Sequence, residues 1–324
     1  MKAILFSSFL LFANLHSSGQ QTKIEILNPS MKKIIQSDVQ IENLGAGMVW
    51  AEGPVWNKKG QYLLFSDPRL NTIFQWDEKN GLRPFLKPSG YEGETWYSDE
   101  PGTNGLLINS EGMLIACDHG NRRIAQIDLT NKEKRAVVSD WKGKRFNSPN
   151  DICEHPLGFY FFTDPPYGLP GRLTDTINRE IEQNGVYRFN KKDQSVSQVI
   201  SNLDRPNGIA LSPDGKKLYV ALSDDAKPYL MVYKLKNANI VGDAEVFFDF
   251  GKSFPSEKLR ADGIKVDSTG NVYAAAGDGV VVINKQGHAI GRIRSGVRTA
   301  NIAFGADQYL YMTASDRLLR VKLK

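Results

Sequence analysis

Apolar residues in this chain come in short runs, not along helical faces. QYLLFSD, GMLIACD, GFYFFTD, KKLYVALSD, NVYAAAGD and YLYMTASD are rich in Tyr, Phe, Val and Leu, and each follows turn-forming residues. A second strand-like run succeeds each of them, such as TIFQWDE, RIAQIDL, GVYRFNK or GVVVINK. Ser212-Pro213-Asp214-Gly215 and Asp267-Ser268-Thr269-Gly270 have the chemistry of tight turns. No long helical period competes with the strand pattern.

These hairpins repeat. Six stretches open on a small polar or acidic leader, namely Glu52, Asn104, Asn150, Asn207, Asp262 and Asn301. Each closes 14 to 17 residues later on Asp67, Asp118, Asp164, Asp224, Asp278 or Asp316. Leaders recur every 39 to 57 residues, a period that fits propeller blades of several strands each. The expected fold is all-β, a single six-bladed β-propeller over residues 38–324. Only three strands fit after Asn301, so DVQIENL (Asp38–Leu44) is expected to close the sixth blade and remove a free sheet edge. Ahead of it lie an N-terminal extension, 20–37, and a signal peptide, 1–19. The peptide is read from Lys2, the apolar run Ala3–Leu15 and the small residues Ser17-Ser18-Gly19, and it points to a periplasmic or secreted protein.

The first strand of each propeller blade lines the central channel, so six leaders can meet at one mouth. Two are carboxylates and four are carboxamides. Such an oxygen-only set suits a hard cation, Ca2+ first, which takes about six to eight oxygen ligands. Glu52 and Asp262 would balance a divalent charge, and Asn150 and Asn207 would add neutral oxygens. No His or Cys stands at a leader position, as zinc or copper would favour. Mg2+, Mn2+ and Zn2+ stay open as alternatives.

Composition narrows the partners. The 324 residues are 41% hydrophobic and 24% charged, ordinary values for a globular chain. The net charge of +5 is scattered, and no nucleic-acid motif accompanies it. No later apolar run could span a membrane. Cys117 and Cys153 are too few for a disulfide scaffold; they are read as buried free thiols, with pairing as the alternative. A monomer or a homodimer is expected.

AEGPVWNKKGQYLLFSD, TNGLLINSEGMLIACDHGNRR, FNSPNDICEHPLGFYFFTDPPYG, RPNGIALSPDGKKLYVA, ADGIKVDSTGNVYAA and ANIAFGADQYLYMTAS are spread along residues 45–323. In these segments the chain resembles the SMP-30/gluconolactonase/LRE-like family of calcium-dependent six-bladed propellers, nearest its bacterial gluconolactonase branch. The resemblance implies a lactonase acting on an aldonolactone or similar cyclic ester. It makes Glu52, Asn207 and Asp262 metal ligands, Asn150 a ligand or substrate contact, and Asp262 the general base or nucleophile. Water activated by the metal and merely oriented by Asp262 is the competing mechanism. In animal-type members an arginine two residues before the ND asparagine grips the sugar lactone; here that place holds Ser148.

Further candidates are weaker. Asn104 is expected to line the substrate side, and Asn301 to keep only a structural role. His119, in DHGNRR, could contact substrate and shuttle a proton, or simply bond backbone in a turn. Tyr167, in the rigid DPPYG loop, could cover substrate. Arg122 and Arg123 could meet an acidic substrate or pair with carboxylates. The five tryptophans, Trp50, Trp56, Trp76, Trp96 and Trp141, are read as blade packing. Two long insertions, Lys87–Thr103 and Gly168–Asn184, are placed to set specificity. Two other readings are a metal-dependent esterase or phosphotriesterase, and a non-catalytic binding propeller with a structural cation.

Overall fold

The computed structural model describes residues 23–324. The expected signal peptide lies outside the described residues. Six antiparallel sheets of four or five strands succeed one another around a central channel. Blade 1 comprises Glu52–Asn57, Tyr62–Asp67, Thr72–Asp77 and Gly81–Leu86, from the channel outward. Blades 2 to 5 repeat the plan, with inner strands Thr103–Ile108, Ile152–His155, Pro206–Leu211 and Ala261–Val266. In blade 6, Thr299–Phe304, Tyr309–Ala314 and Arg317–Lys322 are joined by the N-terminal strand Ile41–Ala46. This is the six-bladed all-β propeller closed by an N-terminal strand. The closing strand begins three residues later than its pattern suggested. It is bulged between Asn43 and Gly45, where the Asn43 side chain accepts the Gly45 N–H.

The segment before it is part of the ring. Lys23–Ile26 adds a fifth strand to blade 5 by pairing with Ala289–Arg294. Met31 and Ile35 are fully buried in the seam between blades 5 and 6.

Both faces of each sheet are covered, which is why the strands read as unbroken apolar runs. Side chains alternate along a strand, and here each set meets a different neighbour. Leu63 and Phe65 pack toward blade 6, while Leu64 between them packs toward blade 2. Tyr160 and Phe162 face blade 2, and Phe161 faces blade 4. Six apolar clusters result, one per seam. Trp56 stacks on Tyr311 across the seam of blades 1 and 6, with centroids 5.4 Å apart.

The residue after a leader decides how tightly the inner strands gather. A Cβ on Gly208 would lie 2.3 Å from the Asp262 carbonyl oxygen, and one on Gly53 would lie 2.0 Å from that of Asn104. Only glycine allows the next blade's leader to come so close. The closing aspartates hold the approach from the other side. Asp67 accepts the N–H groups of Val49 and Trp50, and Asp164 accepts that of Asn147, so each fixes the segment entering its own blade's inner strand.

Candidate active site

At the mouth where the inner strands begin lies a cavity of about 280 Å³. Glu52, Asn104, Asn150, Asn207 and Asp262 all line it, brought together from blades 1, 2, 3, 4 and 5. All five are at most 9% exposed. The Trp50 indole donates to Glu52 Oε1 at 3.0 Å, so this tryptophan belongs to the cavity wall and not to blade packing. Trp96 also departs from the packing expectation, being 70% exposed.

Asn301 is absent from the cavity. Blades 4 and 6 have the same register, with Ile209 opposite Val220 and Ile302 opposite Met312. Counting back, Ala300 occupies the place of Asn207. Asn301 stands one position later, where blades 1, 2, 4 and 5 carry Gly53, Gly105, Gly208 and Gly263 and blade 3 carries Asp151. Its Oδ1 accepts the N–H of Ile302, as Asp151 Oδ1 accepts that of Ile152. The sixth blade therefore contributes no polar leader.

The electrostatics describe a site short of positive charge at its base. Burial raises the Glu52 carboxyl well above the usual range, and the facing Asp262 carboxylate raises it further. Burial likewise raises Asp262, against the opposing pull of Arg298 and the steadying amide of Asn207. Asn104 Oδ1 is buried with no hydrogen-bond partner. Two buried carboxylates that repel each other, together with an orphaned amide oxygen, fit an oxygen-liganded divalent cation. Among the described residues no three His, Cys, Asp or Glu side chains gather in metal-holding geometry, so amide oxygens would have to complete the set.

The wall above this base was not foreseen. Glu100 reaches the cavity from the first long insertion, 5% exposed, with Arg172 NH2 at 3.2 Å and Arg69 Nε at 3.7 Å. Arg205, Arg260 and Arg298 complete the rim with Ser223 and Leu173. The sequence did carry a signal for the three arginines, because each stands two residues before its blade's leader position. Glu100 and Arg172 had none beyond their place in the insertions.

Tyr167 lines the cavity, and burial with the nearby Asp262 charge raises its phenol far above the ordinary value. Its loop is pinned by Ser148, whose hydroxyl donates to the Pro165 carbonyl at 2.5 Å and accepts the Gly168 N–H at 2.9 Å. Ser148 is thus committed to backbone and does not replace the family's arginine. His119, considered as a substrate contact, does not line the cavity. It is fully buried behind Glu100, 3.7 Å from Oε2, and burial lowers its pKa to about 3. A neutral imidazole makes no ion pair there. Arg122 turns inward to the Phe146 carbonyl, and Arg123 pairs with Asp118. Both cysteines are free thiols.

A six-bladed propeller with an acid-and-amide cavity at one channel mouth defines the class. A profile of the SMP-30/Gluconolactonase/LRE-like region matches residues 50–316, and the chain belongs to that family. The gluconolactonase of Zymomonas mobilis is 37% identical over 309 residues, covering 93% of this chain and 86% of that protein. The lactonase drp35 of Staphylococcus aureus is 30% identical over 289 residues, covering 86% and 79%. A gluconolactonase structure from Xanthomonas campestris superposes with a TM-score of 0.81 at 26% identity, covering 93% of this chain and 95% of that one. Regucalcin from Agrobacterium tumefaciens, described as a calcium-binding protein, shares the fold with a TM-score of 0.69 at 17% identity over 87% and 93%.

Proposed function

We propose that this chain is a divalent-cation-dependent lactonase that opens an aldonolactone or similar cyclic ester by hydrolysis, with calcium as the ion. The observation that carries the reading is the facing pair of buried carboxylates, Glu52 and Asp262, at the base of an open cavity. The relatives named gluconolactonase and lactonase support the reaction class. Glu52, Asp262, Asn207 and Asn150 would hold the ion, and Asn104 would add its unpartnered oxygen or meet the substrate. A bound divalent cation supplies a Lewis acid for the lactone carbonyl and lowers the pKa of water.

The chain's own residues supply the rest. Asp262 takes the proton from the attacking water or orients that water. Burial favours the first role by making the carboxylate more basic, and a cation beside it favours the second. Asn150 and Asn207 place neutral oxygens and amide donors around the reacting carbonyl. Tyr167, held by Ser148, closes one side of the cavity.

The test is removal of the cation by a chelator, following lactone hydrolysis and circular dichroism together. Loss of hydrolysis with the fold retained, restored by calcium, supports the enzyme. Loss of the fold, or hydrolysis indifferent to the ion, refutes it. Asp262→Asn with ion occupancy measured separately decides between the two roles: full occupancy with unchanged turnover excludes Asp262 as the base. Export through the segment 1–19 is part of the same proposal, and N-terminal sequencing of the mature protein tests it.

A further inference from the structure

The rim of the cavity divides into two unlike halves. Two residues before the leader position, blades 4, 5 and 6 carry Arg205, Arg260 and Arg298, whereas blades 1, 2 and 3 carry Trp50, Gly102 and Ser148. Three consecutive blades thus each bring a guanidinium to the cavity from the same place in the repeat.

The protein neutralises these groups poorly. Arg205 and Arg260 both turn to Asp225, whose side chain is 62% exposed, and Asp224 stands 3.9 Å from Arg205. Arg298 lies over the Trp50 ring at 5.1 Å from its centroid, and its carboxylate neighbour is Asp262 at 3.9 Å, beyond hydrogen-bonding distance. A cation held by Asp262 would compete for that partner. By contrast, Arg69 and Arg172 are occupied by the buried Glu100. A neutral sugar ring offers nothing that requires three guanidinium groups. Their planar forks match a carboxylate or a phosphate, which accepts paired N–H donors.

We infer that the preferred substrate is an anionic lactone whose carboxylate or phosphate is held by Arg205, Arg260 and Arg298 while the ring carbonyl lies at the Glu52–Asp262 base. The inference rests on the lactonase reading for its ring, and on the arginine triplet for its charge. Trp50, under Arg298 and bonded to Glu52, joins the two ends of that pose. Hydrolysis breaks the ring C–O bond with one water, leaving a hydroxyl and a new carboxylate and releasing one proton to solvent, so the product carries one more negative charge than the substrate.

Two measurements on the calcium-loaded protein test this. The first compares kcat/KM for glucono-1,5-lactone, a glucarolactone and 6-phosphogluconolactone; the second titrates gluconate, glucarate and 6-phosphogluconate calorimetrically. The expected result is a preference of about tenfold or more for the charged lactones over the neutral one, and for glucarate and 6-phosphogluconate over gluconate, from charge-assisted hydrogen bonds. The glucarate and phosphate arms tell the two anions apart. In Arg205→Gln/Arg298→Gln the preference should collapse through a raised KM, and Arg205→Lys/Arg298→Lys should restore part of it. Charged and uncharged ligands handled within twofold of each other, or falling in step in the glutamine variant, would overturn the inference. Lactone hydrolysis without a charge preference leaves the lactonase intact and sinks the anion site. Charge-selective binding without hydrolysis of any lactone does the reverse.

Discussion

The inner strands run from one channel mouth to the other, and the two mouths differ in kind. Where the strands begin, the cavity of about 280 Å³ is lined by five guanidinium groups and three carboxylates. Where they end, a wider space of about 680 Å³ is walled by Val55, Leu106, Leu107, Ile209, Val266 and Phe304, with Cys153 among them. Asp151 of blade 3 is buried 3.7 Å from Lys265 of blade 5 and also receives the Ile152 N–H. The same six strands build both ends, so strand geometry does not separate them. Chemistry does: the smaller space gathers the facing carboxylates Glu52 and Asp262 under a rim of guanidinium groups, and the larger one is walled mainly by apolar side chains, with Lys58, Glu154 and Lys265 among them.

The contrast can be broken most directly by removing a carboxylate. Glu52→Gln or Asp262→Asn should lower kcat/KM for lactone hydrolysis by about 10²–10³-fold, the cost typical of losing one group that stabilises the reacting oxygen. A drop below tenfold in steady-state kinetics would place the chemistry elsewhere. Gly208→Ala should destabilise by about 1–3 kcal/mol through overpacking against Asp262, read as a lower denaturant midpoint, with weaker calcium binding alongside. Normal calcium affinity in that variant would show that the close approach of the strands is not what sets the base of the site. In the cation-free protein, Glu52→Gln should raise Tm by about 2–4 °C because a repulsive buried charge is gone, and it should also abolish the rise that calcium gives the parent. A parent and variant with equal Tm in chelator would deny the repulsion.

His119 gives a pH test. Its folded pKa is near 3 against an ordinary value of 6.5, so between those values the unfolded chain binds a proton that the native chain does not. That difference makes stability fall as pH drops from 6.5 toward 3. His119→Gln should flatten this acid limb in denaturant titrations relative to the parent; an unchanged slope would mean that the imidazole is not held neutral. The smallest effect belongs to the far mouth, where Leu107→Gln should leave lactone hydrolysis within about twofold. A large loss there would erase the distinction between the two ends.

The blades were legible because both faces of every sheet are buried, which turns each strand into an apolar run that a repeat can count. The closing strand was legible from the strand missing after blade 6. Glu52, Asn150, Asn207 and Asp262 were legible because each follows a fixed place in the repeat. The same counting misplaced blade 6 by one residue, since Asn301 mimics a leader while Ala300 occupies the site. Spacing alone does not reveal which residue of a bulge turns toward the channel. Glu100 and Arg172 come from insertions whose paths the repeat does not encode. His119 was misjudged because its fate depends on Gly168, packed against the ring so closely that a Cβ there would lie 2.6 Å from the imidazole Cγ.

The strand Ile41–Ala46 also orders events in time. Its partner, Arg317–Lys322, is synthesised after the strands of blades 1 to 5, so the ring stays open until that strand has been made. Glu52 and Asp262 sit on either side of that late seam, in blades 1 and 5, with blade 6 between them. A nascent chain can fold its middle blades in turn, yet Glu52 and Asp262 are not held facing each other until Ile41–Ala46 meets Arg317–Lys322. The facing of these two carboxylates is therefore a report that the ring has closed.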